Sequence, residues 1–175
     1  MAKKVAILAV NPVNGLGLFQ YAENFFENGI PFRTFAVADT PHIRTNSGIA
    51  ITLDDTVAQL KGHEAEYDAV VFSCGDAIPR FAEQASASYN QDMLSVLKAF
   101  GQAGKLLIGH CAAALMFDQC GIVSGCKVAV HPLAKPAIQQ AIATDAAFEV
   151  DSRVLTAQDE KHLPALMPHL LDALR

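Results

Sequence analysis

Three stretches of this chain, Lys4–Val10, Asp68–Ser73 and Lys105–Gly109, run almost without a polar residue once past their first position. A strand with one face in water alternates apolar and polar side chains. One that is apolar throughout must be covered on both faces, which is the situation of a parallel strand between two layers of helices. Helical spacing fills the intervals. Leu18, Tyr21, Ala22, Phe25 and Phe26 recur on one face of Leu16–Asn28, and Asn28-Gly29 closes that helix with a pair suited to a left-handed cap. Met93, Leu94, Leu97 and Phe100 do the same within Asn90–Ala103, and Leu163–Leu174 forms a closing helix. Strands separated by helices of this length predict an α/β fold, a doubly wound, mostly parallel sheet with helices on both faces. The 175 residues make one domain, 1–175, with no linker or repeat.

The remaining segments are shorter. Pro31–Ala38 reads as the second strand. His42–Thr52 reads as a hairpin turning near Asn46-Ser47-Gly48. Thr56–Leu60 starts a short helix, and Ala112–Gln119 is helical. Val128–Val130, Phe148–Val150 and Arg153–Thr156 are extended. Pro132–Ala143 is predicted as a helix with proline near its first position, where a missing N–H does no harm. Phe81–Tyr89, rich in Ala and Ser, has no clear pattern.

Composition excludes several classes. Hydrophobic residues make up 51% and charged residues 18%, which rules out disorder and leaves apolar surface for a second subunit to cover. The net charge of −5 and the lack of a basic stripe exclude nucleic acid as a partner. No apolar run reaches the length of a membrane span. The run after Lys3-Lys4 stops at Asn11-Pro12, too early for a signal peptide. Cys74, Cys111, Cys120 and Cys126 contain no C-x-x-C pair and suit neither zinc nor a disulfide scaffold. Free thiols and a cytoplasmic location follow, with Cys120 and Cys126 as small buried hydrophobes. No cofactor is implied.

In open α/β sheets function collects at the C-terminal ends of the strands. The sharpest such end is Ile108-Gly109-His110-Cys111-Ala112-Ala113-Ala114. A buried strand runs into Gly-x-Cys and directly into an alanine-rich helix, the grammar of a nucleophile elbow. The turn exposes the cysteine in a strained backbone conformation, and the helix N-terminus favours its thiolate. A buried structural cysteine would give the same local pattern. Two further strand ends are Asn11-Pro-Val-Asn-Gly-Leu-Gly17 and Ser73-Cys74-Gly75-Asp76. Gly15-Leu-Gly17-Leu-Phe-Gln20, with Asp39 downstream, partly fits the dinucleotide fingerprint. Gln20 stands where a third small residue is needed, and the glycines lie too far beyond the strand.

The elbow, together with Asp68-Ala-Val-Val-Phe-Ser-Cys-Gly75, Lys127-Val-Ala-Val-His131-Pro-Leu-Ala-Lys135 and Arg153-Val-Leu-Thr156 followed by Leu163-Pro-Ala-Leu-Met167, resembles the ThiJ/PfpI superfamily, whose members carry a class I glutamine amidotransferase-like domain. The His131 segment is similar to the parkinsonism-linked chaperone/deglycase branch, and the C-terminal segments to the "protease I" branch. The resemblance covers nearly the whole chain. It implies Cys111 as the reactive thiol and the backbone N–H groups of Gly75 and Ala112 as an oxyanion pocket. It places His131 near the thiol, either as proton-transfer partner or as a residue that only tunes the pocket. It also implies a homodimer.

The departures from the family pattern matter equally. Members usually carry a glutamate on the first helix that contacts the cysteine. Counting back from Gly29, that position is Gly17, and Glu23 lies on a different face. Gly17 then makes room over Cys111 or allows close packing. The usual Gly-Gly pair is Cys74-Gly75. The residue before the nucleophile is His110, whose side chain points away from the thiol at a strand end and is satisfied by buried groups or lies at an interface. Asp76 either orders the pocket loop or is a solvated acid. His42, His63, His162 and His169 are surface residues. Cys74 and Cys111, at the ends of neighbouring strands, are placed to form a disulfide. Without the glutamate, the thiol is expected to be less sharply poised than in similar proteins. The readings that result are a cysteine-dependent hydrolase or glyoxalase/deglycase-like enzyme acting on a small carbonyl compound or peptide, and a non-enzymatic redox or stress-response protein or binding module.

Overall fold

The computed structural model describes all 175 residues, Met1–Arg175. Its central sheet has seven strands: β1 (Val5–Val10), β2 (Phe32–Val37), β5 (Asp55–Thr56), β6 (Ala69–Ser73), β7 (Leu106–His110), β10 (Phe148–Asp151) and β11 (Val154–Ala157). The order is β10-β11-β7-β6-β1-β2-β5. All neighbours are parallel except β10 and β11. A separate hairpin joins β3 (His42–Arg44) to β4 (Ala50–Thr52), as the turn residues between them predict.

Every residue of β1 is buried, and alternation divides them between two cores. Ala6, Leu8 and Val10 belong to one apolar cluster, and Val5, Ile7 and Ala9 to the other. The first cluster packs under α2 (Val57–Leu60), α3 (Ser88–Gln102) and α4 (Ala113–Gln119). The second packs under α1 (Gly15–Glu27) and α5 (Leu163–Leu174). The helix after β1 therefore covers one face and the helix after β6 the other. That change of side opens a crevice at the C-terminal ends of β1 and β6, the topological switch point where open sheets of this kind place their sites. The Asn14 side chain caps α1 by accepting the Gly17 N–H at 2.6 Å.

The helix expected over Pro132–Ala143 does not form. The segment holds only a short 3₁₀ turn at Lys135–Ala137, then β9 (Ile142–Thr144), which pairs in parallel with β8 (Lys127–Ala129). Its N–H groups are taken by a side chain instead of by helical carbonyls. The buried Asp118 carboxylate, from α4, accepts from Gln139 at 2.8 Å, Gln140 at 2.9 Å and Ala141 at 2.7 Å. Pro132 and Pro136 have no N–H to give a helix. The unpatterned Phe81–Tyr89 region is a 3₁₀ segment over Ile78–Gln84 leading into α3, which starts at Ser88, two residues before the predicted Asn90.

Candidate functional site

Cys111 sits between β7 and α4 with φ of 59°, in the left-handed region that side chains rarely adopt. Two backbone bonds hold it there. Its N–H donates to the Ala157 carbonyl at 3.1 Å, and its carbonyl accepts the His131 N–H at 2.9 Å. Small neighbours make the turn passable. A Cβ on Gly109 would lie 2.3 Å from the Ala113 Cβ. Gly75 is similarly forced, since a side chain there would come within 2.2 Å of the Pro12 carbonyl and 2.5 Å of the Val13 Cα.

The parallel register of β6 and β7 matches Phe72 with Gly109. Two residues further on, Cys74 and Cys111 line the same cavity, and the Cys74 thiol also lies 4.0 Å from the Gly75 carbonyl, to which it donates. The Cys74 thiol is the principal reason that Cys111 lies below the ordinary thiol range; the Ala112 N–H lowers it further, while burial, Glu160 and Asp159 oppose. Cys74 is pushed well above that range, first by the hydrogen bond with Cys111, then by burial and the negative charge on Cys111, against the N–H groups of Ala112 and Gly75. The two shifts run in opposite directions, so Cys111 is the more readily ionised of the pair. All four cysteines are free thiols.

His131 borders the same cavity, but its Nδ1 accepts the Leu133 N–H at 3.2 Å. The neutral ring accordingly carries its proton on Nε2. No side-chain hydrogen bond joins it to Cys111.

His110 and Gly17 explain each other. The His110 ring is 1% exposed, and its Nδ1 meets the Tyr21 hydroxyl at 3.0 Å. A Cβ at Gly17 would lie 2.5 Å from Nε2 and 2.6 Å from Cε1 of that ring. The space cleared on α1 is thus occupied by His110, where the sequence suggested room over Cys111. Burial drops His110 to about 4, with Asp159 pulling weakly the other way. Nε2 is buried without a partner.

These residues line a cavity of about 660 Å³ that includes Cys74, Gly75, Asp76, His110, Cys111, Ala112 and His131. Sequence reasoning missed Asn14, Asn46, Asp159, Glu160 and Lys161 on its walls. Asn46 fixes the exposed Asp76 loop by accepting the Asp76 N–H at 3.0 Å. Asp159 also bonds His162 at 2.7 Å, so that histidine is half-buried beside the site and not a free surface group. A usable signal existed, because Asp159-Glu160 follows the C-terminal end of β11, the parallel neighbour of β7. Among the other histidines, His42 meets Thr52 and His63 meets Glu66. Cys120 is buried, and that burial raises it to about 11. No group of three or more His, Cys, Asp or Glu side chains could hold a metal ion, and no helix is long and apolar enough to cross a membrane.

A family profile described as the DJ-1/PfpI family matches residues 3–173. Protein ppBat of Bacteroides thetaiotaomicron is 60% identical over 175 residues, covering 100% of both chains. A crystal structure from the same organism, of a protein named as a candidate protease I, has TM-score 0.99 at 60% identity and covers 99% of this chain and 100% of its own. Drosophila melanogaster DJ-1beta shares the fold, with TM-score 0.84 at 18% identity over 99% of this chain and 91% of that one.

Proposed function

The chain belongs to the DJ-1/PfpI family, and on that premise we propose that it is a cysteine-dependent enzyme of small carbonyl compounds, glyoxalase- or deglycase-like, with Cys111 as nucleophile. The observation that carries this reading is a thiol held at φ 59° on a cavity wall, with the neighbouring Cys74 thiol the first cause that lowers it. A thiolate adds to an aldehyde carbon far faster than a thiol does. The alkoxide that forms needs neutral donors; the Ala112 N–H lies beside both sulfurs and the Gly75 N–H beside Cys74. His131, which lines the same cavity with its Nδ1 taken by the Leu133 N–H, offers its Nε2–H for proton delivery. Cys74 takes over the donor role that the family glutamate plays elsewhere, which offsets the loss at Gly17. Asp76, Asp159 and Glu160 outnumber Lys161 around the cavity, so neutral or cationic carbonyls are favoured over anionic ones. Free thiols throughout suit a reducing, cytoplasmic setting.

A second reading, a non-enzymatic redox or binding protein, draws on the His131 Nδ1, which is spent on the Leu133 amide and leaves no evident base beside the thiol. Alkylation of Cys111 followed across pH, with glyoxal turnover measured in wild type, Cys111→Ser and His131→Ala, separates the two. The enzyme reading expects an alkylation midpoint below the ordinary thiol value of about 8.5. It also expects turnover that Cys111→Ser abolishes and His131→Ala lowers at least about 10²-fold. A low midpoint with no turnover of glyoxal or of any other small aldehyde favours the second reading.

A further inference from the structure

We propose that Leu133 is a specificity-determining residue of the Cys111 cavity and that His131 positions it, so that the preferred substrate is a carbonyl compound bearing a branched-alkyl or aromatic substituent. The proposal rests on the reading of Cys111 as the nucleophile and names the substrate class for it. Its first basis is the size and lining of the cavity. At about 660 Å³ it falls within the roughly 300–1,000 Å³ of sites that enclose drug-sized ligands, far more than a two-carbon aldehyde fills. The lining is divided. Asp159 and Glu160 enter from the segment after β11, whereas Ile78, Leu115, Leu133, Ala134 and Ala137 supply apolar surface. That surface gathers on the α4 side: Leu115 is on the helix itself, Ile78 belongs to the apolar cluster beneath it, and Ala134 packs against the same cluster.

Leu133 stands apart from the rest of this wall. It is 87% exposed, yet the backbone around it is tied down. The His131 N–H donates to the Cys111 carbonyl at 2.9 Å, and the His131 carbonyl accepts from Ala134 at 2.8 Å and from Lys135 at 3.1 Å. The Leu133 N–H donates to the His131 ring at Nδ1, 3.2 Å away. Single exposed leucines scattered over a surface are ordinary. This one is held at the edge of the reactive cavity by a residue bonded to the backbone of the nucleophile, and most of its apolar surface is left for something else to cover. A bound substituent that covers it removes apolar area from water, which favours binding in proportion to the area. The contact is also selective, because one methylene more or less in an apolar subsite changes kcat/KM about 10–200-fold. The Nδ1 of His131, spent on an amide and therefore lost to the thiol, thus has a use: it fixes Leu133 relative to Cys111.

The test compares kcat/KM for phenylglyoxal and glyoxal in wild type, Leu133→Ser, His131→Ala and His131→Asn. Alkylation of Cys111 by N-phenyliodoacetamide and by iodoacetamide gives a second readout that needs no turnover. Wild type should prefer the phenyl compound in both assays. Leu133→Ser should lower that preference at least about 10-fold, mostly through KM. His131→Ala should lower it as well. His131→Asn, whose side-chain oxygen accepts the Leu133 N–H in place of Nδ1, should keep the preference even where kcat falls for both aldehydes. A histidine that only transfers protons would leave the ratio unchanged in both variants. Wild type with no phenyl preference, or Leu133→Ser with the wild-type preference, overturns the proposal and leaves Cys111 as the nucleophile. A Leu133→Ser protein that scatters light at a lower mass than wild type also overturns it, since the leucine then belongs to a contact between copies. A phenyl preference in alkylation, lost in Leu133→Ser, with neither aldehyde turned over, sustains the role of Leu133 and removes the enzyme reading.

Discussion

His110 holds an imidazole that is 1% exposed and has one polar partner, the Tyr21 hydroxyl. Burial puts it at about 4 against an ordinary 6.5. Below about pH 6.5 the unfolded chain binds a proton at this ring that the folded chain refuses until about pH 4, so stability rises with pH across that window and is lost as the pH falls through it. The gap amounts to about 3 kcal/mol once both limits are passed. Urea denaturation at several pH values should therefore show wild type weakening from pH 6.5 to 4 more steeply than His110→Asn, which has no ring to protonate. Parallel slopes in the two proteins would contradict this account of His110. The residue also shows what a one-dimensional reading loses. The sequence presented Gly17 and His110 as separate departures from the family pattern. In space they are one substitution made in two parts, since a side chain at Gly17 and the His110 ring compete for the same volume. Gly17→Glu cannot restore a carboxylate without displacing that ring.

At the scale of elements, the strands with apolar runs were legible because burial on both faces leaves an unmistakable pattern. β1, β6 and β7 fall where those runs lie, and the elbow falls at their ends. Pro132–Ala143 was misread because its backbone is organised by a distant carboxylate. Nothing in the local residues announces that Asp118, on α4, will collect three amides from Gln139, Gln140 and Ala141. The role of Cys74 was only half legible: neighbouring strand ends suggested proximity to Cys111, but its service as hydrogen-bond donor depends on side-chain direction. The Asp118 anchor makes its own prediction. Asp118→Asn keeps the shape but turns an amide donor toward at least one of those N–H groups. It should cost about 1–3 kcal/mol. Hydrogen exchange should rise first over residues 138–144, where β9 is tied to β8. Unchanged exchange in that segment would mean that the turn is held by something other than this carboxylate.

For the molecule as a whole, two apolar clusters fill the faces of one sheet, yet α1 still turns large apolar side chains to water. Leu16, Phe19 and Phe26 are 59%, 48% and 76% exposed. At helical spacing they form one stripe, interrupted only by Glu23, while Tyr21 and Phe25 on the opposite side are fully buried. The inner face of α1 is therefore committed to the core, and its outer face is free to meet a second copy of the chain. A stable interface needs on the order of 800 Å² from each partner, more than three side chains supply, so the contact must extend beyond the stripe. The expected outcome is a dimer of twice 18.7 kDa in light scattering at micromolar concentration. Phe19→Glu, which puts a charge into the stripe without touching the inner face, should give the monomer with unchanged far-UV circular dichroism. A wild-type protein that scatters as a monomer would refute the dimer. A Phe19→Glu variant that remains dimeric would move the interface off α1, because a buried, unpaired carboxylate at the centre of a small apolar contact costs more than such a contact can supply.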